Sequence, residues 1–147
     1  MLGRIETPGA TTADTKLRWT LEGGDIVPTV LVVDDDRGIV NVVSALLATE
    51  DVAVRKAYSG ADGLALLKDS TAPPDLILLD LSMPGMDGRE FYQRARHDGY
   101  DGPVIICSAY GAAQARREMG AQGAIEKPFD PDMLVDLVRD CLPATAA

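Results

Sequence analysis

The stretch TVLVVDDD, residues 29–36, decides the fold. Thr29 to Val33 form an unbroken β-branched and aliphatic run without polar alternation, the pattern of a parallel strand covered on both faces. The run stops at Asp34, Asp35 and Asp36. Working outward, the same rhythm returns in VAVRKA (52–57), DLILLD (75–80), PVIICS (103–108) and AIEK (124–127). Helical spacing fills the intervals. Ile39, Val42, Val43, Leu46 and Leu47 stand at i, i+3, i+4, i+7 and i+8, which predicts one buried face. Leu64 and Leu67 anchor a second helix, Phe91 and Ala95 a third, and Ala112–Met119 form a short fourth. The last opens with Asp130 as N-cap and Pro131 at the first helical position, and is expected to bury Met133, Leu134, Leu137, Val138 and Cys141 before Pro143. Five strand–helix units in alternation predict an α/β fold: a doubly wound (βα)5 five-stranded parallel sheet with right-handed crossovers.

The chain has 147 residues, enough for one domain with its own core. Residues 29–142 carry the repeat; residues 1–28 are expected to be a flexible N-terminal tail and residues 143–147 a short C-terminal tail. Within the first, Lys16-Leu17-Arg18-Trp19-Thr20-Leu21-Glu22 alternates strictly, with Leu17, Trp19 and Leu21 on one side. That is the pattern of a half-buried strand, able to pair with a sheet edge or a partner. The net charge is −9, and residues 1–28 hold three basic and four acidic side chains, leaving −8 for the remainder. Such a balance argues against a nucleic-acid surface, which needs clustered Lys and Arg. No run of 18 apolar residues occurs and no basic-then-apolar leader opens the chain, so the expectation is a cytoplasmic protein with no membrane partner. Cys107 and Cys141 lie in apolar patterns and read as reduced core residues.

Ligands of open α/β sheets bind beyond the carboxyl ends of the strands. Those ends carry Asp34, Asp35 and Asp36 on the first strand, Asp80 on the third, Ser108 on the fourth and Lys127 on the fifth. Crowded carboxylates raise one another's pKa, and a hard divalent cation together with the Lys127 charge would relieve that cost. Mg²⁺ suits an all-oxygen set that also leaves room for water and a phosphoryl oxygen. Zn²⁺ does not, since no His or Cys set converges. Asp36 reads as the N-cap of the first helix. His97, the one histidine, and the Gln93–Arg96 and Arg116–Arg117 clusters read as solvated surface.

VLVVDDD, LLDLSMPGMDG, CSA and EKPF, taken in order, resemble the bacterial two-component response-regulator receiver family over roughly residues 29–142. The resemblance implies a CheY-like, flavodoxin-like fold with strand order 2-1-3-4-5. It further implies that Asp80 is the phosphoacceptor, a carboxylate nucleophile. Asp35, Asp80 and the Ser82 carbonyl would bind Mg²⁺, with Asp34 assisting through water. Lys127 would pair with the phosphoryl group, Ser108 would hydrogen-bond it, and Pro84, Gly85 and Gly88 would shape the loop before the third helix. The Lys127–Pro128 peptide would be cis. The implied partners are a histidine kinase or histidine phosphotransfer protein and a downstream protein target. The implied activity is that of a signalling phosphoacceptor, not of an enzyme acting on other substrates.

Two features depart from the family pattern. Ala124 stands where an aromatic residue is usual, three residues before the lysine, and Ser108 and Lys127 are only 19 residues apart. With no ring at 124, Tyr110, two residues past Ser108 and beside Gly111, becomes the switch candidate. Other functions fit less well. A strand-end Asp phosphohydrolase would need a second Asp at 82, where Ser82 stands. A flavodoxin-like cofactor site would need a phosphate loop where three Asp residues repel phosphate. The receiver part of a hybrid histidine kinase would have the same sequence features.

Overall fold

The computed structural model describes residues 27–69 and 72–143. The alternating Lys16–Glu22 segment and the expected flexible tail lie outside them, apart from Val27 and Pro28. The strands are β1 (Thr29–Val33), β2 (Ala53–Ala57), β3 (Leu76–Leu79), β4 (Val104–Ser108) and β5 (Gly123–Glu126). The helices are α1 (Arg37–Ala48), α2 (Gly60–Asp69), α3 (Gly88–His97), α4 (Ala112–Met119) and α5 (Pro131–Cys141). Every strand pairing is parallel and the sheet order is β2-β1-β3-β4-β5. This is the expected doubly wound (βα)5 fold.

Strand periodicity divides the core in two. Leu31, Val33, Ile77, Leu79 and Ile106 point to one face, where Phe91, Ala95, Ala112 and Ala115 of α3 and α4 cover them, with Leu64 and Leu67 of α2. Val30, Val32, Leu76, Leu78, Ile105 and Cys107 point to the other, against Val40, Val43 and Leu47 of α1 and Leu134 and Val138 of α5. The central strands β1, β3 and β4 are apolar on nearly every residue because both of their faces are covered, as read from the sequence.

Asp36 caps α1, its carboxylate accepting from the Ile39 N–H at 3.2 Å. Asp130 caps α5, accepting from Asp132 N–H at 2.8 Å, with Pro131 next. The buried stripes are narrower than their spacing suggests. Val42 is 53% exposed and Met133 62% exposed, both expected inside, while Val40, unassigned from the sequence, is fully buried. A single helix layer on a sheet buries a stripe about 100° wide, and these two side chains lie on its margins. Cys107 is buried and Cys141 only partly; both are free thiols.

Candidate functional site

β1 and β3 are adjacent although β2 separates them in sequence, so the chain reverses its direction of winding between them. At that point the sheet ladder runs one residue past the strands. Asp34 N–H donates to Ala57 carbonyl at 3.0 Å, Asp80 N–H to Val33 carbonyl at 2.9 Å, and Lys127 N–H to Ser108 carbonyl at 2.9 Å. These bonds fix Asp34, Asp80 and Lys127 to one edge before any side-chain contact is made.

The side chains then converge. Asp34, Asp80 and Ser108 are the buried polar residues among those described. Lys127 Nζ donates to Asp34 Oδ2 at 2.7 Å and lies 3.4 Å from Asp80 Oδ1. Ser82 N–H reaches the same Asp80 oxygen at 3.4 Å, and Asp36 N–H donates to Asp34 Oδ1 at 2.9 Å. The Lys127–Pro128 peptide is cis. Burial and the neighbouring Asp34 charge push the Asp80 carboxyl up to about 6, against the opposing pull of Lys127 and Ser82 N–H. Lys127 is raised: burial works against its charge, but the Asp34 bond and the Asp34 and Asp80 charges outweigh it.

Asp34, Asp35 and Asp80 offer carboxylate oxygens that all lie within 4.8 Å of one another. The all-oxygen chemistry and the raised Asp80 carboxyl fit a hard divalent cation. Ser82 contributes its amide here.

Gly88 explains the tight loop between β3 and α3. A Cβ on it would stand 2.3 Å from the Asp80 carbonyl oxygen and 2.7 Å from Leu81 Cα. Its N–H donates to Leu81 carbonyl at 2.9 Å, and Asp87 caps the helix by accepting from Glu90 N–H. The α3 N-terminus is thereby pressed against the backbone that carries Asp80. Ser108 Oγ accepts a long 3.5 Å bond from Tyr110 N–H. The Tyr110 ring is 87% exposed, and Gly111 takes φ +67 at the start of α4, a conformation glycine adopts without strain.

Three side chains escaped the sequence reading. Arg37 stacks over the Tyr58 ring at 3.9 Å, on the strand edge that holds the acids. The partners are distant in sequence and meet only through the β1–β2 pairing. Arg96, read as solvated, clamps the turn after α3: Nη1 donates to the Tyr100 and Gly102 carbonyls, each at 2.8 Å. Its guanidinium also lies over the Tyr92 ring at 4.8 Å. His97 is exposed, as expected.

Residues 30–139 match the family described as the response regulator receiver domain. The chain is 36% identical over 117 residues to the Bacillus subtilis sporulation initiation phosphotransferase F, covering 78% of this chain and 93% of that protein. It is 37% identical over 116 residues to the transcriptional regulatory protein CpxR of Klebsiella pneumoniae, but spans only 48% of it. The chain spans half or less of the transcriptional regulators DltR of Streptococcus agalactiae and GlrR of Escherichia coli. Among solved structures, the Vibrio cholerae chemotaxis protein CheY4 superposes with TM-score 0.72 at 29% identity, covering 79% of this chain and 99% of that one. A CheY-like receiver domain protein from Methanospirillum hungatei gives TM-score 0.70 at 26% identity, covering 78% and 92%.

Proposed function

Because the chain belongs to the response-regulator receiver family, whose members act as phosphoacceptors in two-component signalling, we propose that it takes a phosphoryl group from a phosphohistidine onto Asp80 and signals by protein contact. The observation that carries the reading is the buried Asp80 carboxylate flanked by Asp34 and Lys127 at the winding reversal of the sheet.

An Asp80 oxygen attacks phosphorus, the phosphorus–nitrogen bond of the donor breaks, and the imidazole leaves with the electron pair. The product is an acyl phosphate, later hydrolysed by water. Lys127 neutralises charge on the phosphoryl oxygens, for which it must loosen its bond to Asp34. Ser108 Oγ turns from the Tyr110 amide to a phosphoryl oxygen, and backbone N–H groups of the loop after Asp80 supply further donors. Asp35, Asp80 and the Ser82 carbonyl would hold Mg²⁺, with Asp34 through water. The ion would supply electrostatic stabilisation of the transferring group. A histidine kinase or phosphotransfer protein is the donor in this scheme, and a protein target reads the result. Among the described residues no helix is long and apolar enough to cross a membrane.

Intact-mass measurement after incubation with acetyl phosphate and Mg²⁺ tests the scheme. One phosphoryl group should add, none should add without a divalent cation, and Asp80→Asn should stay unmodified. Labelling of Asp80→Asn equal to wild type would sink it. Calorimetric Mg²⁺ titration of Asp35→Ala separates the metal assignment, which fails if affinity is unchanged.

A further inference from the structure

Arg37 opens α1 and directly follows three carboxylates in the chain, Asp34, Asp35 and Asp36. Coulomb attraction alone would fold its exposed guanidinium back onto one of them. Among the described residues it forms no ion pair. Its Cζ lies 3.9 Å from the centre of the Tyr58 ring instead. That ring is a fixed platform. Tyr58 follows Ala57, whose carbonyl accepts from Asp34 N–H at 3.0 Å, and it is partly buried against the core under α1 and α5. The chain before Arg37 is fixed too: Asp36 N–H donates to Asp34 Oδ1 at 2.9 Å, and the Asp36 carboxylate accepts from Ile39 N–H.

The stack keeps a positive charge at the rim without neutralising the acids. Turned onto Asp35, the guanidinium would cancel one carboxylate of the acidic set. On a ring face it stays charged, and its N–H donors remain available to another partner. Lys127 and Arg89, by contrast, are engaged, the first with Asp34 and the second with Glu118 at 2.9 Å. β2 lies two strand spacings from β3, so Tyr58 and the cation on it stand about 10 Å to one side of the strand that delivers Asp80. An exposed charge acts over that distance in dilute salt. An anion approaching Asp80 is repelled by the acids around it. Arg37 offsets that repulsion in proportion to the charge the anion carries.

Resting on the assignment of Asp80 as phosphoacceptor, we propose that Arg37, parked on Tyr58, is a specificity residue for the phosphodonor. It favours doubly negative donors of the acyl phosphate class over donors of lower net charge. It acts on the encounter, not on the transfer itself. In the transfer an Asp80 oxygen bonds to phosphorus, the bond from phosphorus to the acyl oxygen breaks, and the carboxylate leaves with the electron pair.

Two small donors vary the charge at one acceptor. Near neutral pH acetyl phosphate is a dianion, whereas phosphoramidate is a zwitterion with one net negative charge. Timed intact-mass measurement on the full chain with Mg²⁺ gives the second-order rate constant for each donor in wild type, Arg37→Gln and Arg37→Lys. In low salt Arg37→Gln should react about fivefold more slowly with acetyl phosphate but only about twofold more slowly with phosphoramidate. Both differences should close in about 0.5 M salt, where screening acts within a few Å. Arg37→Lys keeps the charge and should keep the wild-type ratio between the donors. Equal losses with both donors at every salt concentration overturn the proposal, since Arg37 then supports the site's structure and does not read donor charge. Unchanged rates in Arg37→Gln overturn it too, as does Arg37→Lys behaving like Arg37→Gln. All three of those results leave Asp80 as the phosphoacceptor. A wild-type chain labelled by neither donor would overturn that assignment, and this proposal with it.

Discussion

The Lys127 ammonium is bonded to Asp34, at 2.7 Å, and lies 3.4 Å from Asp80. Asp34 thus holds the cation, with Asp80 second. Removing the cation leaves two buried carboxylates side by side. Lys127→Met should lower stability at pH 7.5 by ~1–3 kcal/mol, since a buried charge left without its partner is costly. The loss should shrink as the pH falls and the carboxylates protonate. Urea unfolding at several pH values checks this. A variant as stable as wild type at neutral pH would show that solvent already compensates the acids.

Asp80 gives the complementary pH dependence. Burial and the Asp34 charge push its carboxyl up to about 6 in the fold, against 3.8 in the unfolded chain. Between those values the native state holds more protons, so this group makes stability fall as pH rises from about 4 to about 6, with no further change above. The full penalty on the charged form is ~3 kcal/mol. Asp80→Asn carries none of it. In a chelating buffer it should be more stable than wild type by ~1–3 kcal/mol at pH 7.5, and the advantage should vanish near pH 4. An equal or lower melting temperature at pH 7.5 would show that Lys127 and Ser82 offset burial more fully than the raised carboxyl implies.

Gly88→Ala tests how closely α3 is coupled to Asp80. The new methyl would meet backbone at 2.3 Å, and backbone cannot swing aside like a flexible side chain. The cost should be ~1–3 kcal/mol of stability, typical of overpacking. Phosphorylation by acetyl phosphate should also slow, because Asp80 carries the clashing carbonyl. Gly85→Ala is the contrasting control: no atom lies near its added Cβ, but φ is +76, so its cost is local strain. Unchanged kinetics in Gly88→Ala would mean that the loop shifts without moving the carboxylate.

Arg96→Ala should destabilise by ~1–3 kcal/mol through two lost charge-assisted bonds and lost packing on Tyr92, while phosphorylation stays near normal. Thermal unfolding with a parallel labelling assay measures both. A surface role, as its sequence context suggests, predicts a change within ~0.5 kcal/mol.

Arg96 also marks where the sequence stops being legible. Parallel strands wrapped on both faces declare themselves as unbroken apolar runs, so β1, β3 and β4 could be placed to within one residue, and the acids after Val33 and Leu79 followed. Caps are equally local, and Asp36 and Asp130 were readable from one turn of helix. Contacts that depend on how a chain returns upon itself were not. Arg96 and Arg94 look alike in sequence. Only the turn at Gly99, with φ +102, brings the Tyr100 and Gly102 carbonyls to the first, while the second pairs with Glu90 along the helix. Val42 and Met133 failed for a related reason: periodicity gives the direction of a helix face, not its width.

The last prediction concerns how Ser108 is read by a partner. Ala124 is half-buried and offers no ring to follow the hydroxyl. The observed link from Ser108 runs instead through the chain itself: Oγ accepts from Tyr110 N–H at 3.5 Å. A bond that long is weak, and Oγ can surrender it to a phosphoryl oxygen at small cost. Tyr110 would then lose its acceptor, and Gly111, already left-handed, can take up the backbone change at the start of α4. The Tyr110 ring is exposed and placed to be touched. Tyr110→Ala should therefore leave thermal stability and phosphorylation near wild type, yet weaken binding of the phosphorylated form to its target by ~1–3 kcal/mol, the usual range of an allosteric coupling. The dephosphorylation rate should be followed in the same samples. If Tyr110→Ala distinguishes phosphorylated from unphosphorylated protein as well as wild type does, the tyrosine is not the switch. The eight-residue α4, held to α3 by Arg89–Glu118 at 2.9 Å, would then be the element to vary.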